Sequence, residues 1–416
     1  MLLQALWVDL HQSLVIIDDM AIGHEAQKDL AMNLQLPLSG VRVLEICNVA
    51  AGPFCSLLLA DLGADVIKIE APGTGDTLRA WPPHTGPQDD RLSENFASLN
   101  RNKRSIALDL KNPEHQAHAC ALIAQAQVVV ENNRPGVMQR LGLGYEAMHL
   151  LNPALIYCSI SAYGQSGPRS QEGGFDVTIQ AVSGIMSVTG QADGAPVKCG
   201  VPVADFTAGL YGAMSICAQL RQVAQTGQGV HIDVPMMGTS LAIAALQTSE
   251  YFGTGRDPVK LGSAHPRNAP YQAFRAKDDY LVMAAGTQAL WETVCKIVGS
   301  DAMLKDPRFA TTVLRAANQL ALKAALEAIL QTREASEWIA QFSQAGVPCV
   351  RINKYSDVVN DPQTLSQQWV QPLVMANGVQ TRTVGTPVRF DGQGAAIISA
   401  PPRLGEHTEE ILKELL

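Results

Sequence analysis

Residues 41–70 read VRVLEICNVAAGPFCSLLLADLGADVIKIE, and this stretch decides the fold. Val41 to Ile46 is a short, mainly apolar run, Asn48 to Pro53 a turn, Phe54 to Leu62 a helix and Ala64 to Glu70 a second apolar run. Strands apolar on both faces belong inside a covered sheet, and their alternation with helices requires parallel crossovers. The unit is therefore β-α-β. The alternation returns in Ser105 to Leu110 (strand), Pro113 to Gln125 (helix), Gln127 to Glu131 (strand) and Leu155 to Ile160 (strand). The expected fold class is α/β, a Rossmann-like, doubly wound parallel sheet with a smaller second domain.

Beyond this core, Asp205 to Val223 has the periodicity of an amphipathic helix, closed by the turn Thr226-Gly227-Gln228-Gly229 and followed by a strand, Val230 to Val234. Pro235 to about Trp369 reads as mostly helical, with a hairpin-like piece at Tyr271 to Ala284. Gly385 to Phe390 is expected as a strand, and Thr408 to Leu415 as an amphipathic helix with Thr408 as its N-cap. The expected organisation is an N-terminal extension (1–36), the first part of a large Rossmann-like α/β domain (37–225), a smaller domain with linkers (226–369) and a C-terminal return to the large domain (370–416). Met20 and Met32 are alternative starts within the extension.

A chain of 416 residues with 47% hydrophobic composition is long enough for two cores. Its net charge of -8 argues against a nucleic-acid partner, since phosphate neutralisation needs a basic surplus or stripe. An anionic ligand needs a local basic cluster instead. The eight cysteines are scattered without a C-x-x-C pair or metal-ligand spacing, as expected of reduced thiols in a cytoplasmic protein. No apolar run approaches the roughly 18 to 20 residues that span a bilayer. The stretch Met1 to Asp19 lacks a basic first segment and is interrupted by Asp9 and His11, so it is not read as a secretory signal.

The first β-α-β unit invites a dinucleotide-binding reading, with Glu70 placed like a ribose-binding acid. Its loop, Asn48-Val49-Ala50-Ala51-Gly52-Pro53, lacks the three glycines that let a pyrophosphate approach the backbone, so that reading fails. Two basic runs remain as phosphate seats: Arg101, Lys103 and Arg104 with Lys111 after the strand, and Asn132-Asn133-Arg134-Pro135-Gly136 with Arg140. The second follows a strand end, where open α/β sheets bind ligands. Each run also reads as a solvated loop. Asp205 heads the amphipathic helix, and taken alone it reads as an N-cap, as Asp176 and Asp193 read as turn and cap residues.

Several short segments in one order carry more than any of them alone: LSGVRVLE at 38–45, Ala51-Gly52-Pro53, LGADVIKIE at 62–70, ENNRPG at 131–136, Tyr163-Gly164-Gln165 with Gly167-Pro168, Asp205, and LGEHT at 404–408. Together they resemble the family III CoA-transferases, a group that includes formyl-CoA:oxalate and carnitine CoA-transferases and, as a branch, α-methylacyl-CoA racemase. The resemblance implies that Asp205 is the catalytic nucleophile, forming an anhydride and then an aspartyl-CoA thioester. It further implies CoA contacts from Val49, Ala50, Leu108, Lys111, Asn132, Arg134 and Arg140. It implies an acyl-CoA as substrate with no permanently bound cofactor and no metal, a small carboxylic acid as acceptor, and an interlocked, ring-like homodimer. With an ordinary aspartate pKa near 3.9, Asp205 is expected to be ionised at neutral pH without a general base. The sequence departs from the pattern at Ala71, where some members place an arginine, and at Phe175, where the racemase branch has a histidine. The segment around His265 is similar to members that use succinyl-CoA and small dicarboxylates, making His265, Arg267 and Arg79 candidates for a second carboxylate. A racemase of the same fold and a non-catalytic CoA-binding protein are the competing expectations. Deuterium exchange at the α-carbon distinguishes the first, and loss of the nucleophile would accompany the second.

Overall fold

The computed structural model describes residues 36–394 and 397–415. The expected N-terminal extension and its alternative starts lie outside the described residues, apart from residue 36. Six strands form one sheet: β1 (Arg42–Ile46), β2 (Asp65–Glu70), β3 (Lys103–Ala107), β4 (Val128–Glu131), β5 (Ile156–Ser161) and β6 (Val230–Pro235). Every pairing is parallel, in the order β3-β2-β1-β4-β5-β6. This is the 3-2-1-4-5-6 order of a doubly wound sheet, and its direction reverses between β1 and β4. The inner strands β1, β4 and β5 are buried almost throughout, as their unbroken apolar runs require.

Helices cover both faces. On one, α1 (Ala51–Asp61) and α6 (Val203–Thr226) pack with Val43, Val128, Val130, Cys158 and Ile160 into a single core. On the other, α3 (Pro113–Gln125) and α11 (Thr408–Lys413) enclose Leu44, Ile67, Val129 and Tyr157. Between α1 and β3 lies α2 (Glu94–Asn100), and α4 (Tyr145–Leu151) and α5 (Asp176–Val182) precede α6. Gly209 and Gly212 of α6 face α1: a Cβ on Gly209 would lie 2.8 Å from the Ala51 carbonyl oxygen and 3.2 Å from Cys55 N. Only a residue without a side chain permits this approach.

Contacts divide the chain into two units. Among the described residues, one comprises the sheet with residues 36–183, 200–245 and 362–415; the other comprises 184–199 and 246–361. The second unit thus begins later than residue 226 and gains an earlier segment, because β6 pairs with β5 and keeps the following α7 (Met236–Ile243) with the first unit. Within the second unit, the expected hairpin is β7 (Tyr271–Arg275) and β8 (Tyr280–Ala284), joined antiparallel by β9 (Cys349–Arg351). Its core holds α8 (Gln288–Ile297), α9 (Gln319–Leu330) and α10 (Ala335–Gln344) around Trp291, Trp338 and Phe342.

Two local expectations differ from the structure. The strand near the C-terminus is Gln380–Val384, paired with Val370–Val374, and only Arg389–Phe390 of the expected 385–390 run is a strand. The N-cap position of α11 is His407, not Thr408, whose hydroxyl instead accepts from Ala107 N at 3.1 Å and donates to Gly405 O. Tertiary contact with the end of β3 takes the hydroxyl that would otherwise cap the helix. No helix of the described residues is long and apolar enough to cross a membrane.

Candidate active site

The sheet's reversal between β1 and β4 leaves a gap at their carboxyl ends, where open α/β sheets bind ligands. A cavity of about 310 Å³ lies there, at the small end of ligand-binding sites. The loop after β1 supplies Asn48, Val49 and Ala50, and the loop after β4 supplies Asn132, Asn133 and Arg134. Ser161 and Ala162 at the end of β5, the turn 172–175, Asp205 and Met236 complete it. All lining residues belong to the sheet-bearing unit.

Asp205 occupies the third position of α6, behind Pro202 at the N-cap. It is not a cap. The orphan N–H of Ala204 is satisfied from outside the helix, donating to Asp176 Oδ1 at 2.9 Å, while Asp176 Oδ2 accepts from Gln180 Nε2 at 2.7 Å. Asp176 thus does for α6 what an N-cap side chain would do. Among the described residues no hydrogen bond or ion pair engages the Asp205 carboxyl, which faces the cavity. Burial, with the Asp176 carboxylate adding repulsion, pushes its pKa up to about 7. The expectation of a fully ionised aspartate at neutral pH is corrected accordingly: burial withholds the water that keeps an ordinary aspartate near 3.9.

The two basic runs separate. Arg101 Nη2 lies 2.6 Å from Asp61, Lys103 is fully buried 2.7 Å from Glu45, and Arg104 bridges Asp65 and Glu414 at 2.7 and 2.6 Å. This run ties β3 to its neighbours, so the expectation of a phosphate seat at 101–104 is not met. Arg79 is likewise committed, pairing with Glu70 at 2.6 Å and stacking over Phe96, and Arg267 pairs with Glu250 at 3.0 Å. His265 Nδ1 accepts the backbone N–H groups of Arg267 and Asn268. By contrast, the guanidinium groups of Arg134 and Arg140 are exposed and have no carboxylate partner among the described residues. Arg134 lies across the turn before α5, where a Cβ on Gly173 would sit 2.6 Å from its Nη2.

Of the residues expected to bind CoA, the cavity gathers Val49, Ala50, Asn132 and Arg134 with Asp205. Leu108 and Lys111 lie past the end of β3 rather than on it, Leu108 buried in the core and Lys111 exposed, and neither lines the cavity. Arg140, in the short helix Val137–Arg140, also lies off the cavity wall. Asn132 also clamps the two loops together, since its side-chain amide accepts from Asn48 N at 2.9 Å and donates to Asn48 O at 2.8 Å.

A sequence profile described as CoA-transferase family III matches residues 38–408. The chain belongs to CoA-transferase family III. It is 37% identical over 386 residues to a succinate–glutarate CoA-transferase of Agrobacterium fabrum, covering 92% of this chain and 96% of that one. It is 38% identical to a human succinyl-CoA:glutarate CoA-transferase over 92% of this chain and 87% of the relative. A crystal structure of a CAIB/BAIF family protein from Brucella suis superposes with a TM-score of 0.83 at 36% identity, covering 92% of this chain and 100% of that one. The protein is a CoA-transferase. The sequence reading missed two features at or behind this cavity. The Gly173-Gly174 pair read only as a turn, although its glycines make room for Arg134 and Ile179. Asp76 gave no signal, because its bond from Val49 N joins segments 27 residues apart.

Proposed function

We propose that this CoA-transferase moves CoA from succinyl-CoA, or a similar acyl-CoA, to a small dicarboxylic acid through covalent intermediates on Asp205. The observation that carries the reading is the Asp205 carboxyl itself, which faces the cavity without a partner while its neighbour Asp176 is consumed in capping. A carboxylate with a raised pKa is a stronger nucleophile once ionised. Its oxygen attacks the donor thioester carbonyl and expels CoA thiolate, giving a mixed anhydride. The thiolate then attacks the Asp205 carbonyl carbon, leaving an aspartyl-CoA thioester and releasing the donor acid. An acceptor carboxylate displaces the thiolate in turn, and the thiolate recovers the acceptor's acyl group as the new CoA thioester while Asp205 leaves as carboxylate. The first turn of α1 opens on the same cavity with no side-chain cap, so its N–H groups are available to the oxyanions that form.

Arg134 and Arg140 suit the CoA phosphates because, among the described residues, no carboxylate pairs with them. The dicarboxylate acceptor rests on the substrates in the names of the two glutarate transferases and of an acetyl-CoA:oxalate CoA-transferase of Acetobacter aceti, 38% identical over 86% of this chain. Phe175 carries no group that can move a proton, which disfavours racemisation. Exposed Leu210 and Met214 on α6, at 53% and 60%, support cover by a second copy in an interlocked, ring-like homodimer. The eight unbridged cysteines suit a cytoplasmic location.

Asp205→Asn tests the reading. The variant is expected to lose several orders of magnitude in transfer from succinyl-CoA to glutarate, because an amide is a far poorer nucleophile. Wild-type protein given succinyl-CoA without acceptor should accumulate a thioester that borohydride reduces to a hydroxyl side chain at position 205. Modification at Asp176 or Asp193 instead, read by peptide mass spectrometry, would displace the assignment.

A further inference from the structure

Val49 lines the cavity with a backbone φ of +65°. A side chain branched at Cβ is rarely held in this left-handed region, and such strain persists only where surrounding contacts enforce it. Here the neighbouring backbone is pinned group by group. Cys47 O accepts from Lys68 Nζ at 3.0 Å, both backbone groups of Asn48 bond the Asn132 amide, and Val49 N donates to Asp76 Oδ1 at 3.1 Å. Asp76 is 2% exposed and lies 27 residues away along the chain. Its other oxygen, Oδ2, lies 2.8 Å from Lys68 Nζ, which is fully buried in β2 and also pairs with Glu45 at 2.5 Å. Asp76 is fixed in its own segment as well: its N–H donates to Glu70 Oε2 at 2.9 Å, and Oδ1 also accepts from Leu78 N at 2.9 Å.

We infer that Asp76 is a positioning residue for the transfer reaction, holding Val49 in its left-handed conformation so that residues 49–51 face Asp205 across the cavity. The inference rests on the reading of that cavity as the transferase site. Capping the turn at Thr77–Ala80 requires one oxygen and no ion pair. The Val49 bond and the Lys68 pair are what a capping role leaves unexplained. Without Asp76, Val49 relaxes toward negative φ and carries Ala50, the residue that precedes α1, out of place. The population of competent loop then falls by about fivefold to a hundredfold, the equivalent of the strain released.

A double-mutant cycle tests this, because glycine adopts positive φ without steric cost. Asp76→Ala is expected to slow the formation of the aspartyl-CoA thioester by about tenfold to a hundredfold per titrated active site, with a smaller change in acyl-CoA dissociation constant. Adding Val49→Gly to Asp76→Ala should recover most of that rate. Normalising to titrated sites removes any unfolded fraction, so a purely structural role predicts no change in rate and no recovery. If Asp76→Ala does not fold, Asp76→Asn serves, since it keeps an acceptor for Val49 N–H but loses the ion pair; a smaller loss, again recovered by Val49→Gly, is expected. A double variant no faster than its Asp76 parent, or an Asp76→Ala enzyme as fast as wild type, would overturn the inference. Asp205→Asn run in parallel separates the two readings: retained activity there means that the site itself is misassigned, whatever the cycle gives.

Discussion

The Asp205 carboxyl titrates at about 7, well above an ordinary aspartate, because burial disfavours its charge and Asp176 repels it. In the proposed mechanism the ionised form attacks, so kcat/KM for acyl-CoA should rise about tenfold per pH unit below 7 and level off above it, measured with initial rates from pH 5.5 to 8.5. Asp176→Asn keeps an oxygen for Ala204 N–H but removes the repelling charge, so the inflection should move to lower pH; an unmoved profile would leave burial as its sole cause. The same shift governs stability. Between the ordinary pKa of 3.8 and about 7 the folded protein binds more protons than the unfolded chain, so wild-type stability falls as pH rises through that window. Asn at 205 does not titrate. Thermal melts of the ligand-free proteins should therefore show Asp205→Asn more stable than wild type at pH 8, with the difference closing toward pH 4.

Helix α6 brings Asp205 to the cavity through its contact with α1, and that contact depends on missing side chains. Gly209 follows Asp205 by four residues, so both lie on one helix face. Gly209→Ala places a methyl group 2.8 Å from the Ala51 carbonyl oxygen, against backbone that cannot swing aside. Overpacking of this kind costs about 1–3 kcal/mol, only partly offset by the roughly 1 kcal/mol that alanine gains over glycine within a helix. The variant should lose stability in urea titrations and lose transfer rate with it, because α6 must move away from the loop at 48–51. Equal or greater stability would show that the helices adjust freely.

Across the molecule, an overall charge of -8 conceals a division of labour among cations. Lys68 on β2, Arg101 just before β3, and Lys103 and Arg104 on β3 are spent on internal carboxylates: burial alone would raise the Glu45 carboxyl, yet Lys103 and Lys68 beside it hold its pKa down at about 2. Arg134 and Arg140, just after β4, have no carboxylate partner among the described residues. Arg134→Ala should raise KM for acyl-CoA about tenfold to a hundredfold, the worth of one charge-assisted phosphate bond, with a smaller effect on kcat. Arg104→Ala should leave KM unchanged and lower stability by about 1 kcal/mol, since its pairs with Asp65 and Glu414 are partly exposed. The reverse pattern in steady-state kinetics and melting would move the nucleotide to the β3 side of the sheet.

The sequence alone determined the parallel α/β sheet, because unbroken apolar runs alternating with helical periods admit no other arrangement. Pro113–Gln125 even has the same ends in both readings, its start fixed by a capping Asn112 and a proline in the first turn. Sequence order also determined the family and, through it, the choice of Asp205, which local chemistry by itself marked only as a cap. Tertiary structure decided everything that depends on which charges meet. Only folding directed Asp176 to the distant Ala204 N–H and freed Asp205, and only folding spent Arg101 and Arg104 while leaving Arg134 and Arg140 without a carboxylate partner among the described residues. Only folding brought Asp76 to Val49. The physical reason is common to all three: hydrophobic periodicity is local and repeats along the chain, whereas an ion pair or a raised pKa depends on groups that the sheet brings together from distant positions.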